Sequence, residues 1–441
     1  MMIPVLIVFL LTIILMIICI LKHWTIRIKN VIVIDAYLIV TLLGSILALL
    51  LAHVKPVTLF KAITINTAIN PLKIIVLLLS LTFISISLDV LGFFNYLAVK
   101  VVAKVKHSQF RLFFTLMTII GLLTIVTSND IIILTFTIFI CYFAKATKIN
   151  PLPYLIAEFV IANTCSMLLV IGNPTNIYLA TYFNVDFLAY LKVMWLPTLL
   201  ATIASLIVLP LLFFKQLKKP FEAIEIEAAE VYNKPLVIIN AILLLTVTIL
   251  LAISHYLSLE MWMITLVGAT ILFIIELFFS IIKHDYYVIG KTISRLPLAL
   301  GVFVLIMFSM TTALKEAGLL EQLQNAMIKV CGDHPLKTTL LYGVSSTITD
   351  NLINNIPMSL GFVNLIEGLS PTVQPYALFA TIIGSNIGAY LTPIGALAGI
   401  MWQGILKRQD INYSYFAFVK NGLILATIML LFSLLGLFII L

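Results

Sequence analysis

The sequence predicts an all-α polytopic membrane protein: two inverted-topology repeats, about ten spanning helices, two re-entrant hairpins and two broken helices. Three observations carry that reading. The 441 residues are 62% hydrophobic and only 10% charged, more apolar material than a soluble core can hide. Apolar runs of the ~20 residues needed to cross a bilayer follow one another along the chain. Glycine, proline and asparagine clusters interrupt long apolar runs, in the same order in each half of the chain.

Taken in order, apolar segments lie at 2–21, 31–53, 73–95, 108–145, 151–189 and 193–214, then at 236–253, 258–282, 297–315, 336–366, 372–406 and 421–441. The first lacks a basic leader and a small-residue cleavage site, so it reads as a retained helix rather than a signal peptide. Residues 96–107, YLAVKVVAKVKH, read as an amphipathic surface helix. One markedly polar stretch separates the two sets of six, with Lys215, Lys218 and Lys219 set against Glu222, Glu225, Glu227 and Glu230. The organisation expected is therefore a first repeat at 1–214 (hairpin 108–145, broken helix 151–189), a cytoplasmic linker at 215–235, and a second repeat at 236–441 (hairpin 336–366, broken helix 372–406). Internal matches support duplication. LDVLGFFNYL at 88–97 matches LKEAGLLEQL at 314–323, Ser128-Asn129-Asp130 matches Thr349-Asp350-Asn351, and the expected break at Gly172-Asn173-Pro174 matches Gly384-Ser385-Asn386.

Basic residues in short loops mark the inner side of a membrane. Lys22, Arg27 and Lys29 follow the first helix, and Lys100, Lys104, Lys106 and Arg111 follow the third; both connections belong inside. In the second half 254–260 carries no lysine or arginine and belongs outside, while Lys283, Lys291 and Arg295 belong inside. The halves thus run oppositely, provided that each hairpin enters and leaves on one side. Both termini then lie outside, Lys407, Arg408 and Lys420 inside, and Lys55, Lys61 and Lys73 outside against the general trend. The net charge of +8 is accounted for by orientation in a lipid bilayer, with no nucleic-acid partner. Trp24, Trp195, Trp262 and Trp402 near segment ends suit headgroup anchoring.

Irregular backbone at membrane depth survives only inside protein or beside a wet cavity, so four clusters mark the candidate site: TSND at 127–130, GNPTN at 172–176, TDNLINNIP at 349–357 and GSNIGAYLTPIG at 384–395. Exposed helix ends there offer N–H groups to anionic or hydroxylated ligands and carbonyls to cations. Asn129, Asn173, Thr175, Asn176, Asn351, Asn354, Asn355, Ser385, Asn386 and Thr392 supply neutral donors and acceptors for a small polar solute, or else cap the half-helices. Asp130 and Asp350 stand in related positions at the two hairpin tips. A charge there costs about 2.5 to 3.5 kcal/mol on insertion scales, so each is an ion-coupling candidate for H⁺ or Na⁺, with Glu158 a third. Asp35, Asp89 and Glu276 read as snorkelled or loop-facing. None of the clusters contains lysine or arginine, which disfavours a multiply charged anion. Cys19, Cys141, Cys165 and Cys331 form no CxxC pair, and neither a metal site nor a cofactor is indicated. Thr164 and Cys165 lie within two turns of GNPTN and are cavity-facing candidates, with packing the commoner role for a lone cysteine. The absence of GxxxxGK[ST] argues against ATP hydrolysis by this chain, and the absence of Ser/His, His-rich or HExxH arrangements disfavours an enzyme.

At these clusters the sequence resembles the ion-transporter superfamily, most closely the bacterial arsenite and antimonite efflux permeases, over nearly the whole chain. TSNDIIILTFTIFI looks like that family's hairpin with its Asn-Asp tip, TDNLINNIPM resembles its second hairpin, and GSNIGAYLTPIGALAGIMW is close to its glycine-rich signature. The resemblance implies an inner-membrane, proton-driven exporter of uncharged trihydroxy arsenic or antimony, working by alternating access. It also implies a scaffold-mediated homodimer and, in some relatives, a soluble ATPase subunit. GNPTN is nearer in pattern to the sodium/proton antiporter and P-protein branches, and Asn163 is neutral where arsenite permeases tend to carry an acid. A Na⁺/H⁺ antiporter and a sodium-coupled carrier of small anions are the alternatives.

Overall fold

The computed structural model describes residues 2–22, 24–28, 32–64, 70–102, 105, 108–220, 230–254 and 257–441. Lys29, Lys104, Lys106, Glu222, Glu225 and Glu227, on which part of the loop-charge reading falls, lie outside the described residues.

In the first half the chain forms α1 (Met2–Leu21), a hairpin of β1 (Thr25–Ile28) and β2 (Ile32–Asp35), then α2 (Ala36–Leu51), α3 (Pro56–Thr64), α4 (Pro71–Val90) and α5 (Phe93–Val102). There follow α6 (Gln109–Val126), α7 (Asn129–Thr147), α8 (Leu152–Cys165), a 3₁₀ turn (Val170–Gly172), α9 (Pro174–Tyr182), α10 (Phe187–Leu212) and α11 (Phe214–Leu217). The second half contains α12 (Lys234–Ala252), α13 (Met261–Lys283), α14 (Tyr287–Ser294), α15 (Leu298–Glu316), α16 (Leu319–Cys331), α17 (Pro335–Ile353), α18 (Asn355–Glu367) and α19 (Gln374–Ile387). A 3₁₀ turn (Gly388–Tyr390), α20 (Leu397–Arg408) and α21 (Tyr415–Ile440) complete it. Among the described residues nine helices are long and apolar enough to cross a membrane.

Local chemistry sets many of these boundaries. Asn70 accepts from the Leu72 and Lys73 N–H groups while Pro71 opens α4 with a ring that needs no N–H partner. Asn173 and Pro174 do the same for α9. α4 stops where Gly92 takes a φ of +83°, turning the chain into α5.

Several expectations are corrected. The segment at 31–53 does not begin as helix: β1 and β2 pair antiparallel, Thr25 opposite Asp35, because TIRI and IVID are β-branched runs. The surface helix starts at Phe93, and α10 starts at Phe187 rather than 193, capped by Asp186 accepting from Ala189 N–H at 2.8 Å. The second break does not fall at Gly384-Ser385-Asn386. Helix α19 runs through those residues, and the chain leaves α-helical form only from Gly388 to Ala396. The first break is wider than Gly172–Pro174, since α8 already ends at Cys165. Trp402 is wholly buried against Phe159, so it anchors nothing at a headgroup, whereas Trp24 and Trp195 remain exposed.

The halves interlock by exchange. α2 packs on α15 while α13 packs on α4, and the closing helices of the halves, α10 and α21, pack on each other. With no hydrophobic drive between helices in lipid, close contact needs small residues. Gly436 of α21 is such a point: a Cβ there would stand 3.0 Å from Pro197 Cα in α10. Gly268 of α13 is another, 2.5 Å from a Val247 methyl of α12.

Candidate translocation site

Because α19 stays helical through its Gly-Ser-Asn, it presents Ser385 and Asn386 to the break between α8 and α9. Asn386 donates 2.7 Å to Asn176 Oδ1 and 2.8 Å to the Ile382 carbonyl. Its Oδ1 accepts from Ser166 Oγ and Asn173 Nδ2, each at 2.9 Å. Asn173 in turn accepts from the Thr175 N–H and hydroxyl at 3.1 Å, and Thr175 Oγ1 lies 2.9 Å from Ser385 Oγ. Asn176 Nδ2 donates 2.9 Å to the Ser166 carbonyl. Every one of these side chains is buried and neutral. In a low dielectric such a matched set is rigid, since an unpaired amide there would be costly.

The first hairpin tip joins this junction through α8. Asn129 Nδ2 donates 2.9 Å to Asn163 Oδ1, and the single Ser166 hydroxyl proton is shared between Asn386 Oδ1 and the Asn163 carbonyl, 2.8 Å away. A 20 Å³ cavity lined by Ser85, Thr127, Ser128 and Pro174 lies beside the tip. Asp130 is half-buried in the first turn of α7, where free N–H groups favour an anion.

The second tip is stitched to the break after α19. Asn351 Nδ2 donates 3.0 Å to the Gly388 carbonyl and its Oδ1 accepts from Thr392 N–H at 2.9 Å. Asn354, at φ +75°, donates 3.0 Å to the Ile394 carbonyl, and the Asn355 N–H bonds the Gly395 carbonyl at 3.0 Å. Thr392 Oγ1 accepts from the Ile394 N–H at 3.3 Å. Asp350 is wholly buried with neither carboxyl oxygen hydrogen-bonded. It faces Gly388, where a Cβ would come within 2.4 Å of Oδ2.

The ten polar residues singled out in the sequence fall into two hydrogen-bonded groups: Asn129, Asn173, Thr175, Asn176, Ser385 and Asn386 around the break after α8, and Asn351, Asn354, Asn355 and Thr392 around the break after α19. The three acids take separate places. Glu158 sits between α8 and α7, within 2.9 and 3.1 Å of the Thr137 hydroxyl, with no bond to the amide junction. Sequence reasoning missed Ser166, whose only signal was its place just ahead of the break, and it left Asn163 out of the site. It misread two further acids. Asp89 is no loop residue: it accepts from Arg295 and from Thr135, each at 2.7 Å. Glu276 does not snorkel and is buried on Ser87. Thr164 Oγ1 has no partner, and Cys165 packs beside Thr202 and Gly121.

Two larger cavities lie at opposite ends of α4. One, of 470 Å³, is lined by Lys73, Thr181, Asp186, Glu260 and Trp262 and contains the Lys73–Glu260 ion pair at 2.6 Å. The other, of 1110 Å³, is lined by Asp89, Thr135, Tyr142, Lys291, Arg295 and Arg408. Both cavities carry charged side chains on largely apolar walls, and the neutral amide junction lines neither of them.

Comparison with known proteins gives the family. Residues 31–384 match the family model described as citrate transporter, CitMHS. The chain belongs to this family. Relatives named arsenical pump membrane protein occur in Escherichia coli K12, 27% identical over 87% of this chain and 89% of that one, and in Yersinia enterocolitica, 26% identical over 78% and 80%. The fold is shared with the YdaH transporter of Alcanivorax borkumensis, described as having an unusual topology, at a TM-score of 0.57 and 14% identity over 99% of this chain and 97% of that one. This CitMHS family member is a multi-pass membrane transporter, not an enzyme.

Proposed function

We propose that this protein is a proton-coupled exporter of small uncharged hydroxylated solutes of the arsenite and antimonite kind, residing in the bacterial inner membrane. The observation that carries the reading is the buried junction of Asn173, Thr175, Asn176, Ser166, Ser385 and Asn386, which holds many donors and acceptors and no charge. A solute hydroxyl both donates and accepts, as these side chains do for one another, so a trihydroxide can replace their mutual bonds one for one. The bonds of Asn386 close the site on itself; opening it toward either cavity requires cargo or water to take them over. Asp130 and Asp350 supply a titratable group near each tip, and Glu158 a third. Names of relatives in Escherichia coli and Yersinia enterocolitica support the cargo class.

The halves 1–214 and 236–441 act as inverted repeats about a cytoplasmic linker at 215–235, with re-entrant hairpins and both termini outside. The exchanged packing of α2 with α15 and α13 with α4 supports this organisation. A scaffold-mediated homodimer and assistance from a soluble ATPase belong to the same reading. A second reading, a sodium-coupled anion carrier, is favoured by the 1110 Å³ cavity with Lys291, Arg295 and Arg408 on its wall and by the family's description.

Transport into everted vesicles tests the two. As(OH)₃, Na⁺ and citrate are compared with and without a pH gradient. Uptake of As(OH)₃ driven by the pH gradient is the expected result. Citrate movement that requires Na⁺, with none of As(OH)₃, overturns the first reading in favour of the second.

A further inference from the structure

Glu276, on α13, is a buried carboxyl that the translocation site does not use. It is 1% exposed and meets two other helices: its Oε1 is in hydrogen-bond contact with Ser87 Oγ of α4, and Ser87 contacts Asn240 of α12. The amide of Asn240 has one orientation that satisfies both its ends. Nδ2 then donates 3.3 Å to the Ile84 carbonyl, while Oδ1 accepts from Leu88 N–H at 3.1 Å and from Ser87 Oγ at 2.7 Å. The reverse orientation aims an amino group at an N–H and an oxygen at a carbonyl.

Counting protons then decides the state of Glu276. Ser87 has a single hydroxyl proton, and Asn240 Oδ1 takes it. A carboxylate only accepts, so an ionised Glu276 would leave two acceptors facing one proton. A neutral carboxylic acid resolves the conflict, because it donates to Ser87, which donates to Asn240, which donates to Ile84. The second oxygen, Oε2, is buried without a partner; a neutral acid tolerates this far better than an anion in hydrocarbon. Among the described residues no ion pair reaches Glu276. On the elements packed against α13, the charged groups stand at helix ends. Lys73 and Asp89 of α4 are paired with Glu260 and Arg295, Lys234 begins α12, and Lys291 lies within the short helix α14, one turn after Tyr287. Lys283 closes α13 itself, about 10 Å along the helix from Glu276.

We propose that Glu276 is a proton-binding site apart from the translocation site, a neutral acid whose donated bond to Ser87 of α4, and through Ser87 to Asn240 of α12, ties α13 to both helices. Loss of the proton removes the first donor of the chain and leaves a buried, unpaired charge, so the three-helix contact weakens as the site empties with rising pH.

Infrared spectra of the purified protein at neutral pH test this in wild type, Glu276→Gln and Ser87→Ala. The wild type is expected to show a hydrogen-bonded carboxylic-acid carbonyl band that Glu276→Gln lacks and that Ser87→Ala shifts to higher frequency. A wild-type minus Glu276→Gln difference that contains only carboxylate bands overturns the proposal. If Glu276→Gln fails to fold, Ser87→Ala decides: an unshifted acid band overturns it. Thermal unfolding of wild type should fall as pH is raised, over a range in which Glu276→Gln stays flat; the same slope in both proteins also overturns it.

Discussion

A carboxyl group that makes no hydrogen bond inside a membrane protein is expensive to keep, and Asp350 is such a group, pressed against the backbone at Gly388. Replacing it by Asn keeps the volume and removes the proton. Asp350→Asn is expected to fold to a monodisperse protein and to lose pH-driven flux down to background, while counterflow exchange of cargo persists; flux at the wild-type rate would transfer the coupling role to Asp130 or Glu158. The cysteines call for the opposite outcome. All four are buried, and Cys165 packs beside Thr202 and Gly121, so a variant lacking all of them should transport at near wild-type rate. Complete loss of transport in a folded Cys-free protein would mean that a thiol holds the cargo. At the protein's edge, a hydrogen bond from the Lys73 ammonium holds the Glu260 carboxyl below its ordinary 4.5. Its contribution is therefore present above the unfolded value and is lost as pH falls through the folded one. The pair is half exposed, so Glu260→Gln should cost less than about 1 kcal/mol at neutral pH and nothing in acid, as read from urea midpoints.

At the scale of elements, glycine carries two messages that a sequence does not separate. Gly384-Ser385-Asn386 reads as a break, yet α19 continues through it. The glycine is there for close approach: a Cβ at Gly384 would fall 1.9 Å from Ser346 Oγ and 2.8 Å from the Gly343 carbonyl of α17. Gly172 does sit in irregular backbone, and a Cβ there would lie 2.3 Å from the Ser166 carbonyl. Gly384→Ala and Gly172→Ala should each destabilise by about 1 to 3 kcal/mol or more and disturb the Asn173–Asn386 junction. Gly361, inside α18 with nothing within 4 Å of a Cβ, is the control: Gly361→Ala should leave the thermal midpoint unchanged or raise it slightly, by up to about 1 kcal/mol of helix propensity. Similar losses in all three would show that these helices tolerate no added methyl anywhere. The restart at Asn173-Pro174 was legible because cap and N1 proline act within one turn of chain, whereas the same pair at Asn70-Pro71 was passed over and the segment begun at 73.

For the molecule as a whole, inverted halves predict opposite exposure of equivalent loops. Cysteines introduced at Leu259, Lys218 and Lys283, all exposed positions, should divide. Leu259→Cys should react with an impermeant thiol reagent from outside intact cells, and the other two only after the membrane is opened. Equal labelling of all three from outside would refute the inverted arrangement. The buried native cysteines make a low background for this measurement.

By itself the sequence determined that this chain is a multi-pass helical transporter whose apolar runs are interrupted by polar clusters in both halves, though it set the second break too early and missed Ser166. Those properties depend on residue type and near neighbours: apolar length sets the spans, and a polar cluster inside an apolar run has nowhere to go but a protein interior. Only the tertiary structure decided that Asn386 meets Asn173 and Asn176, residues 213 and 210 positions away. It also decided that Asp89 pairs with Arg295 instead of facing a loop, and that Glu276 closes a proton chain with Ser87 and Asn240. The physical reason is that a polar side chain on an apolar helix carries no mark of which helix will cover it. Its partner is set by close packing at small residues such as Gly268 and Gly384, where sub-ångström fit between distant segments selects the neighbour.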